Sequence, residues 1–277
     1  MTRMQPRKGH VWTASKLEFL TKYLHAFNVV VRKFFPNRIY VDGYAGPGTN
    51  LIDGQERDGS PLIALKTEPS FTRLFMVEKH QGNFRQLQSN VNLLHLPPER
   101  VQNVTLTRGD FNDEVDGILA ALPDHPVFFF LDPEGLELDW ETVRKIGRRS
   151  RADLFILISA GGVTRCAGSP PTHDRVTRFY GHDRWEPIAE GVHPERPIGQ
   201  TKFESFINLY LEGLRNLGFN HVQSFLIATN SQQSHLHALV FAAKNPTAIK
   251  IAEDILKKIQ REQREKQRGA SPLFEMD

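Results

Sequence analysis

Residues 38–66 read RIYVDGYAGPGTNLIDGQERDGSPLIALK, and this stretch decides how the rest of the chain is interpreted. It opens as a short β-branched and aromatic strand, runs into glycines, and reaches a helix signal only after a second cluster of glycine and acid. That helix, SPLIALK, is predicted to have Ser60 as its N-cap and Pro61 at its first position. Asp42 ends the strand, and Gly43, Gly46 and Gly48 follow. Glycine lets a backbone turn sharply and approach a ligand without a side chain in the way. The same cluster also suits a plain tight turn. Residues 49–59 read as an eleven-residue insertion that delays the helix, with Asp53 and Asp58 exposed. Such a segment either covers a ligand or is a solvated loop.

The chain around it has 277 residues, of which 39% are hydrophobic, enough for a sizeable core. We expect one domain over residues 1–260, with insertions at about 49–59 and 163–203, and a polar, flexible tail over 261–277. No apolar run approaches eighteen residues, so no membrane-spanning helix is expected. The basic start MTRMQPRKGHVW lacks the apolar stretch of a secretory signal. The single cysteine, Cys166, excludes a disulfide framework and a CxxC zinc site. Together these point to a cytoplasmic protein. A net charge of +3 permits an anionic partner and does not demand one.

Strands and helices alternate along the chain. ASKLEFLTKYLHAFNVVVRKFF places Leu17, Leu20, Leu24, Phe27 and Val31 at helical spacing, behind Thr13 or Ser15 as caps. RLFMVEKH, VTLTRGDF, VFFFLDPEG and ADLFILISAG read as further strands. Several are apolar nearly throughout, as strands buried on both faces should be. Residues 163–203, with prolines from Pro170 to Pro194 and many charges, read as irregular. QSFLIATN and SHLHALVFAAKN are joined by the short turn SQQ, so they must pair antiparallel. The fold class is therefore α/β, a doubly wound, mostly parallel seven-stranded sheet with an antiparallel last strand. This order resembles that of methyltransferases dependent on S-adenosylmethionine (SAM).

Ligands of such sheets sit at the carboxyl ends of the strands. VDGYAGPG resembles a methyltransferase glycine motif of the form D-x-F-A-G-x-G. Asp42, Gly43, Tyr44, Gly46 and Gly48 are then cofactor-binding candidates. An acid for the ribose hydroxyls should lie about 20 residues on. Glu78 ends RLFMVE 30 residues after Gly48, or 19 once residues 49–59 are removed. Asp110 and Phe111 end the next strand, placed to meet an adenine amino group and ring; Asp110 also suits a plain helix N-cap. FLDPEG resembles the acceptor motif [DNS]-P-P-[YFW] of amino-methyltransferases. Asp132 and Pro133 match it, and Glu134 and Gly135 do not. Asp132 and the Pro133 carbonyl would steady a target amine, and Glu134 would serve as a general base if partly desolvated. The aromatic that stacks on a flipped base is missing, with Trp140 the nearest substitute.

VDGYAGPG, GSPLIALK, FFFLDPEGLELDWETV, KLEFLTKYLHAF and HALVFAAKNPTAIKI together resemble the three-Cys-motif partner protein family (TcmP). The resemblance spans nearly the whole chain. It implies a methyltransferase-like fold, SAM as cofactor and a cysteine-bearing partner protein, and very little about substrate. A nucleic acid or nucleotide-like acceptor is favoured; the alternatives are a protein or small-molecule acceptor, or a cofactor-binding partner module without catalysis. Three weaker signals remain. His235 and His237 share a strand face without a third metal ligand at telling distance. RFYGHDRW suits either phosphate contact with base stacking or a surface helix with a buried aromatic side. The basic end KKIQREQREKQR is a solvated helix end that suits nucleic acid.

Overall fold

The computed structural model describes residues 7–9, 11–52, 54–192, 200–229 and 235–269. Asp53, Pro194, the SQQ turn and the last eight residues of the tail lie outside them. A short strand β1 (Arg7–Gly9) precedes α1 (Val11–Val31). Then come β2 (Ile39–Asp42), β3 (Thr49–Ile52), β4 (Gln55–Asp58), α2 (Ser60–Lys66), β5 (Arg73–Glu78) and α3 (Gln81–Asn92). A single turn α4 (Pro98–Val101) leads to β6 (Val104–Arg108), α5 (Phe111–Ala121), β7 (Val127–Leu131), α6 (Trp140–Gly147) and β8 (Ala152–Ser159). The chain continues through α7 (Ala160–Ala167), α8 (His173–Tyr180), α9 (Glu186–Glu190) and α10 (Lys202–Asn216). It closes with β9 (His221–Thr229), β10 (His235–Ala243) and α11 (Pro246–Gly269).

Seven strands form one sheet in the order β6-β5-β2-β7-β8-β10-β9. β2, β5, β6, β7 and β8 run parallel, and β10 is antiparallel to both its neighbours. This is the α/β sheet with an antiparallel last strand that the sequence implies. β2 and β7 are buried along their whole length. Successive residues point to opposite faces: Ile39 and Val41 join the layer of α5, α6, α7, α8 and α10, and Tyr40 joins the layer of α1, α2, α3 and α11. On that second face α1 lays Phe19, Leu20, Tyr23, Leu24 and Phe27 against the sheet. The Tyr23 ring lies 5.0 Å from those of Phe128 and Phe241.

Three local expectations fail. α1 starts at Val11, so Thr13 and Ser15 lie inside the helix, not before it. Gly59, not Ser60, is the N-cap of α2, and Ser60 occupies the first helical turn. Residues 163–192 are largely helical, not irregular. Pro170 and Pro187 sit at helix starts, where a missing N–H costs nothing. Gly181 and Gly191 end α8 and α9 in the left-handed region. Between those punctuation marks Val176, Phe179, Tyr180 and Ile188 are buried. Trp185 is also buried, while Arg178 and Arg184 turn outward to Asp139 and Glu212, so the aromatics of RFYGHDRW belong to the core.

α10 lies close against Trp140, with Gly213 at the contact. A Cβ on Gly213 would stand 2.6 Å from Trp140 Cη2. Alanine normally favours a helix by about 1 kcal/mol over glycine. We expect the opposite sign: Gly213→Ala should destabilise by about 1–3 kcal/mol through overpacking, measured by urea denaturation. A stabilised variant would show that the Trp140 ring yields freely.

Candidate functional site

The carboxyl ends of β2, β5, β6 and β7 converge on one edge of the sheet, where strand order reverses between β2 and β7. The glycine turn after β2 has Gly46 at φ +62° and Gly48 at φ +88°, conformations that side chains other than glycine resist. Residues 49–59 leave that turn and return to it. They form the hairpin β3–β4, on which β1 lies as a third strand. The hairpin closes where Gly59 N–H donates to Gly48 O at 2.7 Å. A Cβ at position 59 would meet that same oxygen at 2.9 Å, so the second glycine cluster permits the closure. Asp58 binds Lys66 at 2.6 Å on the outer surface.

Glu78 is buried under this turn. Its Oε2 accepts from Gly46 N–H at 2.8 Å and its Oε1 from His80 N–H at 2.6 Å. Asp42 is fully buried and does not reach the depression beside it. It accepts from the Tyr40 hydroxyl at 2.9 Å, from Tyr44 N–H at 3.2 Å and from the Ser60 hydroxyl. That last bond occupies the serine expected to cap α2. Burial pushes the Asp42 carboxyl up to about 7, with Ser60, Tyr40 and Tyr44 pulling it down and the nearby Asp132 adding to the rise.

Asp132 follows β7, and its Oδ2 accepts from Lys16 Nζ of α1 at 2.5 Å. Lys16 is only 5% exposed. An ion pair so deep must be well matched, because each charge has lost most of its water. Lys16 shares its face of α1 with Leu20, Leu24 and Phe27, at helical spacing. A cation on an apolar stripe is the sequence signal that would have found it. Pro133 is buried, and Glu134 is exposed at the mouth.

Asp110 caps α5, accepting from Asn112 N–H at 3.0 Å, and binds Lys79 at 2.8 Å. Burial raises its carboxyl, but Lys79 and Asn112 outweigh that and hold it below the usual range. Phe111 is buried in the first turn of α5, with the Tyr44 ring 6.0 Å away. Both phenyl edge and Leu131 also crowd Gly43, where a Cβ would stand 2.8–2.9 Å from them. Asn112 is a second residue that sequence reading missed. It donates to Glu137 O at 2.7 Å and accepts from Asp139 N–H at 3.0 Å and Thr142 Oγ1 at 2.8 Å. It ties α5 to the loop beyond Asp132 and to α6.

One depression thus brings together Gly43, Tyr44, Glu78, Asp110, Phe111, Asp132 and Glu134. Gly46 joins them through Glu78, and Asp42, Gly48 and Pro133 stay outside the lining. The residues fit a nucleoside: a carboxylate with unused lone pairs at Glu78, a ring wall at Phe111, and the Tyr44 hydroxyl. That hydroxyl is buried without a hydrogen-bond partner among the described residues. The depression encloses only about 30 Å³, room for about one water. A nucleoside would require the rim to open, and part of that rim is the exposed Lys79 bound to Asp110. Among the described residues no three His, Cys, Asp or Glu side chains are grouped to hold a metal, and no helix is long and apolar enough to cross a membrane.

No protein-family model matches the sequence, and no curated protein matches it. Solved structures do. Protein LPL1258 of Legionella pneumophila, of the family described as DUF519, has a TM-score of 0.57 at 13% identity, over 91% of this chain and 93% of that one. TYW2 of M. jannaschii in complex with AdoMet gives 0.45 at 12%, over 84% and 76%. An rRNA methylase of Streptococcus thermophilus gives 0.41 at 12%, over 88% and 99%. At these identities the likeness concerns the fold alone, and only the first value is high enough to weigh. The fold itself is a mostly parallel seven-stranded α/β sheet with an antiparallel strand near one edge, as the strand order shows.

Asp42 offers a test of this buried edge by pH. In the unfolded chain its proton leaves near the ordinary carboxylate value of 3.8; in the native protein it stays until about 7. The native state therefore holds an extra proton in between. The resulting stabilisation is complete below about 4 and is lost as pH rises through about 7. It amounts to at most about 4 kcal/mol, at 1.36 kcal/mol per pH unit. Asp153, also pushed up to about 7, adds a similar slope. Asp42→Asn should flatten the fall in urea-denaturation free energy between pH 4.5 and 8 relative to wild type, leaving the Asp153 part. Identical slopes would mean that Asp42 ionises freely in the native protein.

Proposed function

We propose that the chain is a SAM-dependent methyltransferase whose acceptor is an amine on nucleic acid or a nucleotide-like molecule. The observation that carries this reading is the acid at each strand end of one edge: Glu78 under the glycine turn, Asp110 at the start of α5, and Asp132 after β7. The resemblance to the TcmP family and the strand order of the sheet support it. When bound, SAM supplies a methyl group activated on a sulfonium.

The residues of the chain do the rest. Glu78 would take the ribose hydroxyls with the lone pairs that Gly46 and His80 leave unused. Phe111 and Tyr44 would flank the adenine, and Asp110 would accept from its amino group once Lys79 swings away. Asp132 would accept a hydrogen from the acceptor amine through the oxygen that Lys16 does not hold. The Pro133 carbonyl would take the second. That fixes the nitrogen lone pair toward the methyl group and stabilises the positive charge that develops on it. Lys16 positions Asp132 and does not touch substrate. Glu134 at the mouth would take the proton that the methylated amine sheds.

One observation favours a second reading. The carboxylate meant for the acceptor is already in a buried ion pair with Lys16. In that reading the protein binds the cofactor and serves a partner, such as the cysteine-bearing protein of the TcmP resemblance, without turnover.

Two sets of variants separate these. Glu78→Ala should weaken SAM binding by about 1.5–3 kcal/mol, the range for hydrogen bonds to charged groups. Unchanged calorimetric affinity in a folded variant would remove Glu78 from the site. Asp132→Ala and Lys16→Met should leave SAM affinity within a few-fold. Label transfer from SAM to total RNA, plasmid DNA or lysate should fall by roughly 10²–10³ for Asp132→Ala, and less for Lys16→Met. Tight SAM binding with no label in any mixture makes the partner module the correct reading.

A further inference from the structure

A second cavity, of about 380 Å³, lies at the opposite end of the sheet. It sits at the amino ends of β7 and β8, under the last turns of α1 and the first turn of α11. Phe27, Val30, Val31, Phe35, Val127 and Ile251 are among the apolar residues of its wall. The volume falls within the range of small-molecule sites, and so does the composition of apolar walls with few polar groups.

One of those polar groups is a carboxylate. Asp153 lines the cavity, and its Oδ2 accepts from the Tyr23 hydroxyl at 3.0 Å. The two cations at the rim are turned elsewhere. Arg151 binds Asp124 at 2.7 Å and lies 5.2 Å above the Phe35 ring. Lys244 donates to Gly147 O at 2.6 Å and lies 5.3 Å from the centre of the Phe219 ring. Among the described residues Tyr23 is the side chain that hydrogen-bonds Asp153. Burial pushes its carboxyl up to about 7, against the pull of Tyr23.

Holding Tyr23 against the sheet does not need an acid, since the carbonyl of an asparagine would accept the same bond. An acid in an apolar wall costs stability whenever it ionises without a counter-charge. That cost is offset when a cation arrives. We propose that this cavity binds a protonated primary amine carried on an apolar body, with Asp153 as its counter-ion and the phenylalanines and valines around the body. The site is separate from the depression at the carboxyl edge and does not depend on its reading.

The test compares three probes of one shape on the full chain: phenethylamine, 2-phenylethanol and 3-phenylpropionate, by calorimetry at pH 8. The amine should bind about tenfold or more tighter than the alcohol, as expected for a hydrogen bond to a charged group. The acid should bind weakest. The groups facing Asp153 are Tyr23 from α1, Arg151 before β8 and Lys244 after β10, and burial pushes the Tyr23 hydroxyl further up, away from this range. The amine affinity should therefore fall over that range as Asp153 takes up a proton. Asp153→Asn should reduce the advantage of the amine over the alcohol to less than about twofold. If that variant does not fold, Val30→Trp, which fills the wall from its half-buried position, should weaken both amine and alcohol. Equal binding of amine and alcohol, tighter binding of the acid, or no binding of any probe up to about 10 mM overturns the proposal.

Discussion

A buried lysine sets the terms for the working edge of this sheet. Asp42 and Asp132 lie at the ends of adjacent central strands, close enough that Asp132 adds to the cost of ionising Asp42. Two carboxylates cannot be desolvated side by side without compensation. The sequence answers with Lys16 from α1, which closes on Asp132 at 2.5 Å, and with three donors around Asp42. The helix that brings Lys16 must therefore dock in one register. It does so through Phe19, Leu20, Tyr23, Leu24 and Phe27, all in the same core layer. Packing on one face of α1 and charge compensation at its start are a single constraint.

The glycines divide along the same line. Gly46 and Gly48 adopt left-handed conformations and shape the turn over Glu78. Gly59 lets the β3–β4 hairpin return to Gly48. The hairpin is an excursion whose two ends touch, which is why removing residues 49–59 restores ordinary spacing between the turn and Glu78. β1 lies on the hairpin directly before α1 begins, so the excursion also guides the helix that carries Lys16.

Much of this was legible from the residues. Strands apolar along their whole length, such as VFFFL, read as central because only burial on both faces explains them. Glu78 was singled out by spacing, Asp110 by its place at a strand end and Asp132 by a motif resemblance. Lys16 and Asn112 were not, because their roles depend on distant partners: Asp132 is 116 residues away from Lys16, and Asn112 joins the loop at Glu137. Prolines misled over residues 163–192, since a proline marks a helix start as readily as a break. Ser60 misled for a related reason: its hydroxyl is taken by Asp42. Asp42, read as a ligand contact, is turned inward by those same donors.

The depression between Glu78, Asp110 and Asp132 is narrow, and Lys79 bridges part of its rim. An account in which SAM enters there requires that the native state bind it selectively. The most direct measurement is the thermal midpoint of the wild-type chain with SAM, S-adenosylhomocysteine, NAD and ATP at equal concentration. A ligand of the native state raises the midpoint, by roughly 5–10 °C at a hundred-fold excess over its Kd. The account predicts a rise with SAM and S-adenosylhomocysteine and none with NAD or ATP. A rise with NAD or ATP alone, or no rise with any of the four, would contradict it.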